Sequence, residues 1–346
     1  MTTSLSPTLL VPNRPTPRPY RGGAGIERFR NLPDSGDRWA PEDFIASTVT
    51  TFGSEQEGLT VIGGVALREL IAADPLGYLG AEHVGAFGAD PRLLCKLLHT
   101  GERLFVHVHP DGDYAHRELR APSGKTEAWI ILDVDEGMDG CAWLGFRDDV
   151  DESVLGAWYA SQDSAAMLAA MNRVPLQAGD ILHVPAGTAH SIGAGVLMLE
   201  LQEPIDLSVI LEYAPFERLD RRSSLLGLDV GTALRAVSRR ALRAEDLADL
   251  IGHTPPGNAE SFLPPASRPF FRVERVVVSA GADVELAAQF AVVVVTAGAG
   301  RITWADKVLA VSAGDTVLVP YGAGPTRVCG HVTLLRCMPP AASGSR

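Results

Sequence analysis

Short apolar runs, broken at close intervals by glycine and proline, dominate the chain. The counts are 35 glycines and 24 prolines, and the spacing suits many short strands joined by tight turns. Residues 64–79, GVALRELIAADPLGYL, repeat apolar positions at helical spacing, and 91–98, PRLLCKLL, form a compact apolar segment. LFVHVHP at 104–110 alternates, as a strand does, and AWIILDV at 128–134 is a mostly apolar strand. Residues 151–171 return to helical spacing, and from 174 strands resume with VPLQAGDILHVP and HSIGAGVLMLELQ. Over 217–252 the pattern changes again. The run ALRAVSRRALRAEDLADLI (233–251) predicts an amphipathic helix. Residues 252–269 hold five prolines and read as a linker. Strands follow to the end: FFRVERVVVS, AVVVVTAG, GRITWADKVLAV, DTVLVPYG and VTLLRCM.

One repeat organises this pattern. GDILHVPAGTAH at 179–190 recurs as GDTVLVPYGAGP at 314–325. Glycine-aspartate, the strand, the proline and the next glycine keep their spacing, while His190 of the first copy becomes Pro325 in the second. The repeat predicts two related β-barrels, of which the second has lost a polar end residue.

Composition narrows the range of functions. A net charge of -12 argues against a broad nucleic-acid surface or an anionic membrane as partner. It leaves room for a small anionic substrate, which needs only a local cluster of cations. Cys95, Cys141, Cys329 and Cys337 are far apart and form no CxxC pair, so they read as reduced thiols. No apolar run is long enough to span a membrane, and the proline-rich start lacks a signal layout. The expectation is a cytoplasmic protein.

Candidate chemistry lies on the strands. His107 and His109 are two apart on an alternating segment, so both imidazoles face one side and can reach one ion. Exposed strand histidines would look the same. Glu127 opens an apolar strand, either as a solvated edge residue or as a ligand. His190 follows the Pro-Ala-Gly turn that aims the next strand, where an ordinary polar turn residue would also fit. Taken together they point to a metal. Three imidazoles and a carboxylate suit Zn²⁺ first, with Fe²⁺, Mn²⁺, Ni²⁺ or Co²⁺ as alternatives.

The spacing Gly179–Pro185–Gly187–His190 and the preceding HxH…Glu resemble the two motifs of the cupin superfamily. The likeness goes further. PRLLCKLLHTGERLFVHVHPDGDYA, GKTEAWIILD and AGDILHVPAGTAHSIGAGVLMLELQEPIDLSVILEY together resemble the type I mannose-6-phosphate isomerases, over about residues 64–216. The resemblance implies a mainly β protein. It would consist of a metal-binding cupin (jelly-roll β-barrel) domain with helical insertions (1–216), a helical segment and linker (217–264), and a degenerate C-terminal cupin domain (265–346). It places the metal ligands on His107, His109, Glu127 and His190, and an active-site lysine on Lys125. Glu200 and Asp206 match two further carboxylates of that family. The family carries an arginine where this chain has Ile210, so Arg218, Arg221 or Arg222 downstream are the candidate replacements.

The implied chemistry is aldose–ketose isomerisation of a sugar or sugar 6-phosphate through a cis-enediolate, with one divalent metal polarising the carbonyl. Lys125 and Glu200 are the candidates for proton handling, and Asp206 and Arg218 for substrate binding. The expected partner is a small sugar or sugar phosphate, bound by a monomer or homodimer. Two other readings stay open. A non-catalytic or altered-specificity sugar-binding cupin is motivated by Ile210. An iron-dependent cupin dioxygenase would share the ligands, although the 18-residue gap from His109 to Glu127 is long for one.

Overall fold

The computed structural model describes residues 5–342. Its strands gather into three main antiparallel sheets. One has six strands, in the order Ile251–His253, Asp180–Val184, Glu127–Val134, Val196–Gln202, Leu94–His99 and Glu42–Ile45. The second has five, in the order Val209–Ile210, His107–Val108, His190–Ile192, Cys141–Phe146 and Met171–Pro175. These two sheets enclose a shared apolar core, with Trp129, Leu182 and Met198 from the first meeting Leu144, Val174 and Ile192 from the second.

The six-stranded sheet is buried on both faces. Its inner face carries Lys96, Leu98, Glu127, Trp129 and Glu200. Its outer face carries Cys95, Leu97, Ala128, Ile130 and Leu199, which pack against Phe271, Val273, Val292 and Leu335 of the third sheet. A sheet covered on both sides has no reason to alternate polar with apolar residues. That is why AWIILDV reads as a mostly apolar strand.

The third sheet has seven strands and is built on Ala291–Trp304, Thr326–Met338 and Arg272–Val278. It closes round its own core of valines and Leu334. At one edge it takes in the N-terminal strand Thr8–Leu9, which pairs with Thr316–Val319. The repeat is visible in three dimensions. Gly179 and Gly314 have nearly the same positive φ, 94° and 93°, which is natural only to glycine. In both copies the aspartate carboxylate takes the backbone N–H three residues earlier, Gln177 at 2.9 Å and Ser312 at 2.7 Å. The copies diverge after the proline.

Two expected elements change form. The helix of 64–79 is broken at Asp74-Pro75 into Leu67–Ala73 and Pro75–Leu79. The amphipathic helix over 233–251 does not form. Only Val230–Leu234 and Ala244–Ala248 are helical, and the strand Ile251–His253 follows. Tertiary hydrogen bonds draw the backbone between them away from the helix. Ser238 N–H donates to Gly187, Leu242 N–H to Phe146, and Arg239 C=O accepts from Val150. The linker is likewise pinned, with Thr254 N–H on Gly179 C=O. Among the described residues, no helix is long and apolar enough to cross a membrane.

Candidate metal centre and active site

His107, His109 and His190 come from neighbouring backbone segments of the five-stranded sheet, and His107 and His190 are direct cross-strand partners. Their ring centroids lie 4.0–4.9 Å apart, and one nitrogen of each falls within 4.8 Å of the others. Each Nδ1 is turned to a backbone carbonyl: His107 to Phe105 at 3.0 Å, His109 to Leu207 at 2.9 Å and His190 to Thr188 at 2.8 Å. A carbonyl only accepts, so each Nδ1 carries the proton and each Nε2 lone pair points inward. Burial, reinforced by the neighbouring imidazoles, holds His107 well below its usual value and His190 at about 3. These rings stay neutral at physiological pH, as metal ligands must.

Glu127 approaches two of these histidines from the facing sheet. Its Oε1 lies 3.0 Å from His109 Nε2 and 2.9 Å from Lys125 Nζ, and its Oε2 lies 3.8 Å from His190 Nε2. Trp129 Nε1–H donates to Oε2 at 3.0 Å. Burial alone would raise this carboxyl, but the Lys125 ammonium beside it outweighs burial and holds it well below the usual range. Glu127 Oε1 and His190 Nε2 are buried, and neither makes a hydrogen bond. A buried acceptor left without a directed partner is costly; Oε1 has only the ion contact with Lys125, and His190 Nε2 has none. A divalent cation would satisfy both, so the donor set fits a metal.

Two turns aim these groups. Gly187, at a φ of 86°, lets the chain reverse between Pro185 and His190. Its N–H donates to His109 C=O at 2.7 Å, which ties the two ligand segments together. Gly124 lies against the 110–112 backbone: a Cβ there would fall 2.5 Å from Gly112 N. That close approach brings Lys125 and Glu127 to the histidines.

The group opens into a cavity of about 330 Å³. Beside the histidines lies a second buried cluster, in which the sequence pointed to Glu200 and Asp206 but not to Lys96, Glu42, Arg18 or Tyr20. Lys96 faces Glu200 across the strands. Its Nζ lies 3.1 Å from Asp206, 3.6 Å from Glu42 and 3.9 Å from Glu200. Arg18, from the N-terminal arm, reaches Glu42 and Asp206, both at 3.0 Å, and Tyr20 O–H donates to Glu42 at 2.5 Å. Burial would strip Lys96 of its proton, but Asp206 and Glu42 outweigh it and push its pKa up. Glu200 goes the other way. Burial, with the charge of Glu127, raises its carboxyl to about 8.

Lys125, Glu200, Asp206 and Arg218 all line this cavity with the four candidate ligands. Asp206 is already engaged, by Arg18, Lys96 and the Phe52 N–H. Ile210 lines the wall and pairs with His107. Arg221 and Arg222 are exposed and outside the lining. The signal for Lys96 was present in the chain: it is the one charge inside the buried strand Leu94–His99.

Comparison with known proteins agrees with this architecture. A family model for the cupin domain of mannose-6-phosphate isomerase matches residues 265–339. Mannose-6-phosphate isomerase of Streptococcus mutans is 32% identical over 263 residues, spanning 71% of this chain and 75% of the relative. A Bacillus subtilis mannose-6-phosphate isomerase is 28% identical over 250 residues, 69% of this chain and 72% of the relative. Among solved structures, that of mannose 6-phosphate isomerase from Bacillus subtilis superposes with a TM-score of 0.72 at 22% identity, covering 96% of this chain and 99% of its own. A mutant phosphomannose isomerase from Salmonella typhimurium gives 0.73 at 15% identity, covering 96% and 100%. At these identities the two superpositions show the mainly β cupin fold. With the sequence relationship to the Streptococcus protein, the chain belongs to the type I mannose-6-phosphate isomerase family, a family of isomerases on the cupin fold.

Proposed function

We propose that the chain is a metal-dependent aldose–ketose isomerase acting on a sugar 6-phosphate of the mannose/fructose type, with His107, His109, Glu127 and His190 holding one divalent ion. The observation that carries the reading is the convergence of three inward Nε2 lone pairs, with the Glu127 carboxylate against two of them, at the end of a sugar-sized cavity. Nitrogen and carboxylate donors in this number suit zinc, with the other first-row divalent ions as alternatives. A bound ion of this kind supplies Lewis-acid polarisation of the substrate carbonyl.

The remaining work falls to the chain's own side chains. Isomerisation moves a proton between C1 and C2 of the sugar, through a cis-enediolate. The group that takes and returns it works best with a pKa near the operating pH. Glu200, at about 8, meets that condition. Lys96 does not, because Asp206 and Glu42 keep it charged. It serves as a fixed positive donor beside Glu200. Lys125 Nζ lies 3.1 Å from His109 Nε2 and 2.9 Å from Glu127 Oε1. It stands where a donor would orient substrate hydroxyls. Asp206 is best read as the anchor that sets Lys96 and Arg18 in place for the sugar.

The test is interconversion of mannose 6-phosphate and fructose 6-phosphate by the metal-loaded protein. His190→Ala and Glu127→Ala should each drop bound metal well below one per chain, by elemental analysis, and abolish turnover with circular dichroism unchanged. Stoichiometric metal in both variants would overturn the ligand set. Ile210, apolar beside His107, favours a second reading as a non-catalytic sugar-binding cupin. That reading prevails if no aldose, ketose or 6-phosphate interconverts while sugars still raise the melting temperature.

A further inference from the structure

The charges in the cavity are unevenly committed. Its cations are Arg18, Lys96, Lys125 and Arg218, and its carboxylates are Glu42, Glu127, Glu200 and Asp206. With Glu200 holding its proton up to about pH 8, three charged carboxylates face four cations within a chain of net charge -12, and a divalent ion among the histidines would add to that positive excess. Lys96 and Lys125 are held deep in the cavity by carboxylates, at 3.1 Å from Asp206 and 2.9 Å from Glu127. The wall next to His107 is Ile210, which offers no charge. An anionic end of a ligand has nothing to hold it there.

The uncommitted positive charge lies elsewhere on the lining. Arg218 makes no ion pair within 4 Å among the described residues, and the carboxylate that feels its charge, Asp37, is taken by the Trp39 N–H and the Thr16 hydroxyl. Its guanidinium carbon sits 4.4 Å over the Trp39 ring. Arg21 lies 5.0 Å from the same ring but is tied to Glu217 at 2.7 Å. A guanidinium over an indole face is attracted to the ring and still has N–H donors to offer an acceptor. Trp39 also binds the arm, since the Arg18 N–H donates to Trp39 C=O at 2.8 Å. Arg18 spends only Nη2 on Glu42 and Asp206, and its Nη1 makes no hydrogen bond among the described residues. One tryptophan thus ties together two arginines from distant parts of the chain, each with donor groups to spare.

We propose that Arg218 and the free Nη1 of Arg18 form an anion subsite, built on Trp39, that takes the phosphate group of the sugar. Phosphate specificity then resides in the N-terminal arm and the segment after Val209–Ile210, and not in that strand. The identity of the sugar rests on the isomerase reading; the anion subsite does not.

Two measurements on the metal-loaded protein test this. In the first, inorganic phosphate is titrated while the melting temperature is followed. Wild type should be stabilised, and Arg218→Ala, a change at an exposed side chain, should lose most of that shift. Arg18→Gln should reduce it. An undiminished shift in Arg218→Ala overturns the subsite, since phosphate would then be binding elsewhere, for example at the ion. In the second, Arg218→Ala should raise KM for mannose 6-phosphate by about 10- to 100-fold, the usual loss for one charged hydrogen-bonding group, with little change in kcat. The preference for phosphorylated over free mannose should fall by the same factor. Equal losses on both sugars would overturn the proposal. If no sugar turns over at all, the isomerase reading fails, and the phosphate titration still decides the subsite.

Discussion

Glu200 shows how much a single side chain in this site departs from its ordinary chemistry. Its carboxyl is raised from 4.5 to about 8, by burial first and by Glu127 second. The sign of the consequence follows from proton counting. Between about pH 4.5 and 8 the folded chain keeps a proton that the unfolded chain has released, so this group's contribution to stability falls as pH rises through that window. Glu200→Gln carries no charge to suppress. In the metal-free protein the variant should gain on wild type by an amount on the order of 3 kcal/mol between about pH 5 and 8. Urea unfolding at the two pH values measures it, and a constant difference would show that Glu200 titrates normally. His107 and His190 carry the opposite sign: they are held neutral when folded, so their contribution weakens as pH falls below about 6.5. The ligand residues were legible in the sequence because strand periodicity and turn chemistry place them. Lys96 and Arg18 were not. A lysine in PRLLCKLL shows no partner until the strands align it with Glu200, and an arginine in a proline-rich arm looks like solvent-facing charge.

At the scale of elements, the site depends on two loops that must approach each other closely. The turn that carries Lys125 and Glu127 passes so near residues 110–112 that Gly124 has no room for a side chain. Gly124→Ala puts a methyl group 2.5 Å from Gly112 N and 2.9 Å from Pro110 O, and both neighbours are backbone. Relief requires the loops to part, at an overpacking cost of about 1–3 kcal/mol. The shift would carry Glu127 away from the histidines, so metal affinity should fall more than stability alone explains. A zinc titration against a competing chelator, alongside denaturant melts, separates the two effects. Unchanged affinity would show that the loop does not set the ligand position. Helix prediction failed over 233–251 for a related reason. Periodicity reports which residues can share a face, but here Gly187, Phe146 and Val150 take the backbone groups a helix needs. Ala236 and Val237 are buried all the same. The apolar positions were correctly read, and the tertiary hydrogen bonds chose another conformation for them.

For the whole molecule, the telling feature is that the six-stranded sheet is a wall shared by two compartments. Its inner face holds the candidate site, and its outer face is the core it shares with the C-terminal sheet. Cys95, Leu97 and Ala128 lie directly behind Lys96 and Glu127 on the same strands. The N-terminal arm closes the arrangement, pairing with Thr316–Val319 at one end and delivering Arg18 to the cavity at the other. The two halves should therefore unfold together, although the repeat suggests two separate barrels. Phe271, fully buried at the shared core, tests this. Phe271→Ala should cost about 3–5 kcal/mol through lost contacts and a cavity. Because that core supports both halves, calorimetry of the metal-free variant should still show one transition, moved to lower temperature. A variant that splits into two transitions, with only the C-terminal half destabilised, would show that the barrels are independent. The metal site would then owe nothing to the sheet behind it. A single shifted transition would instead make the C-terminal barrel, which has Pro325 where its counterpart has His190, a structural support for the wall that carries Lys96, Glu127 and Glu200.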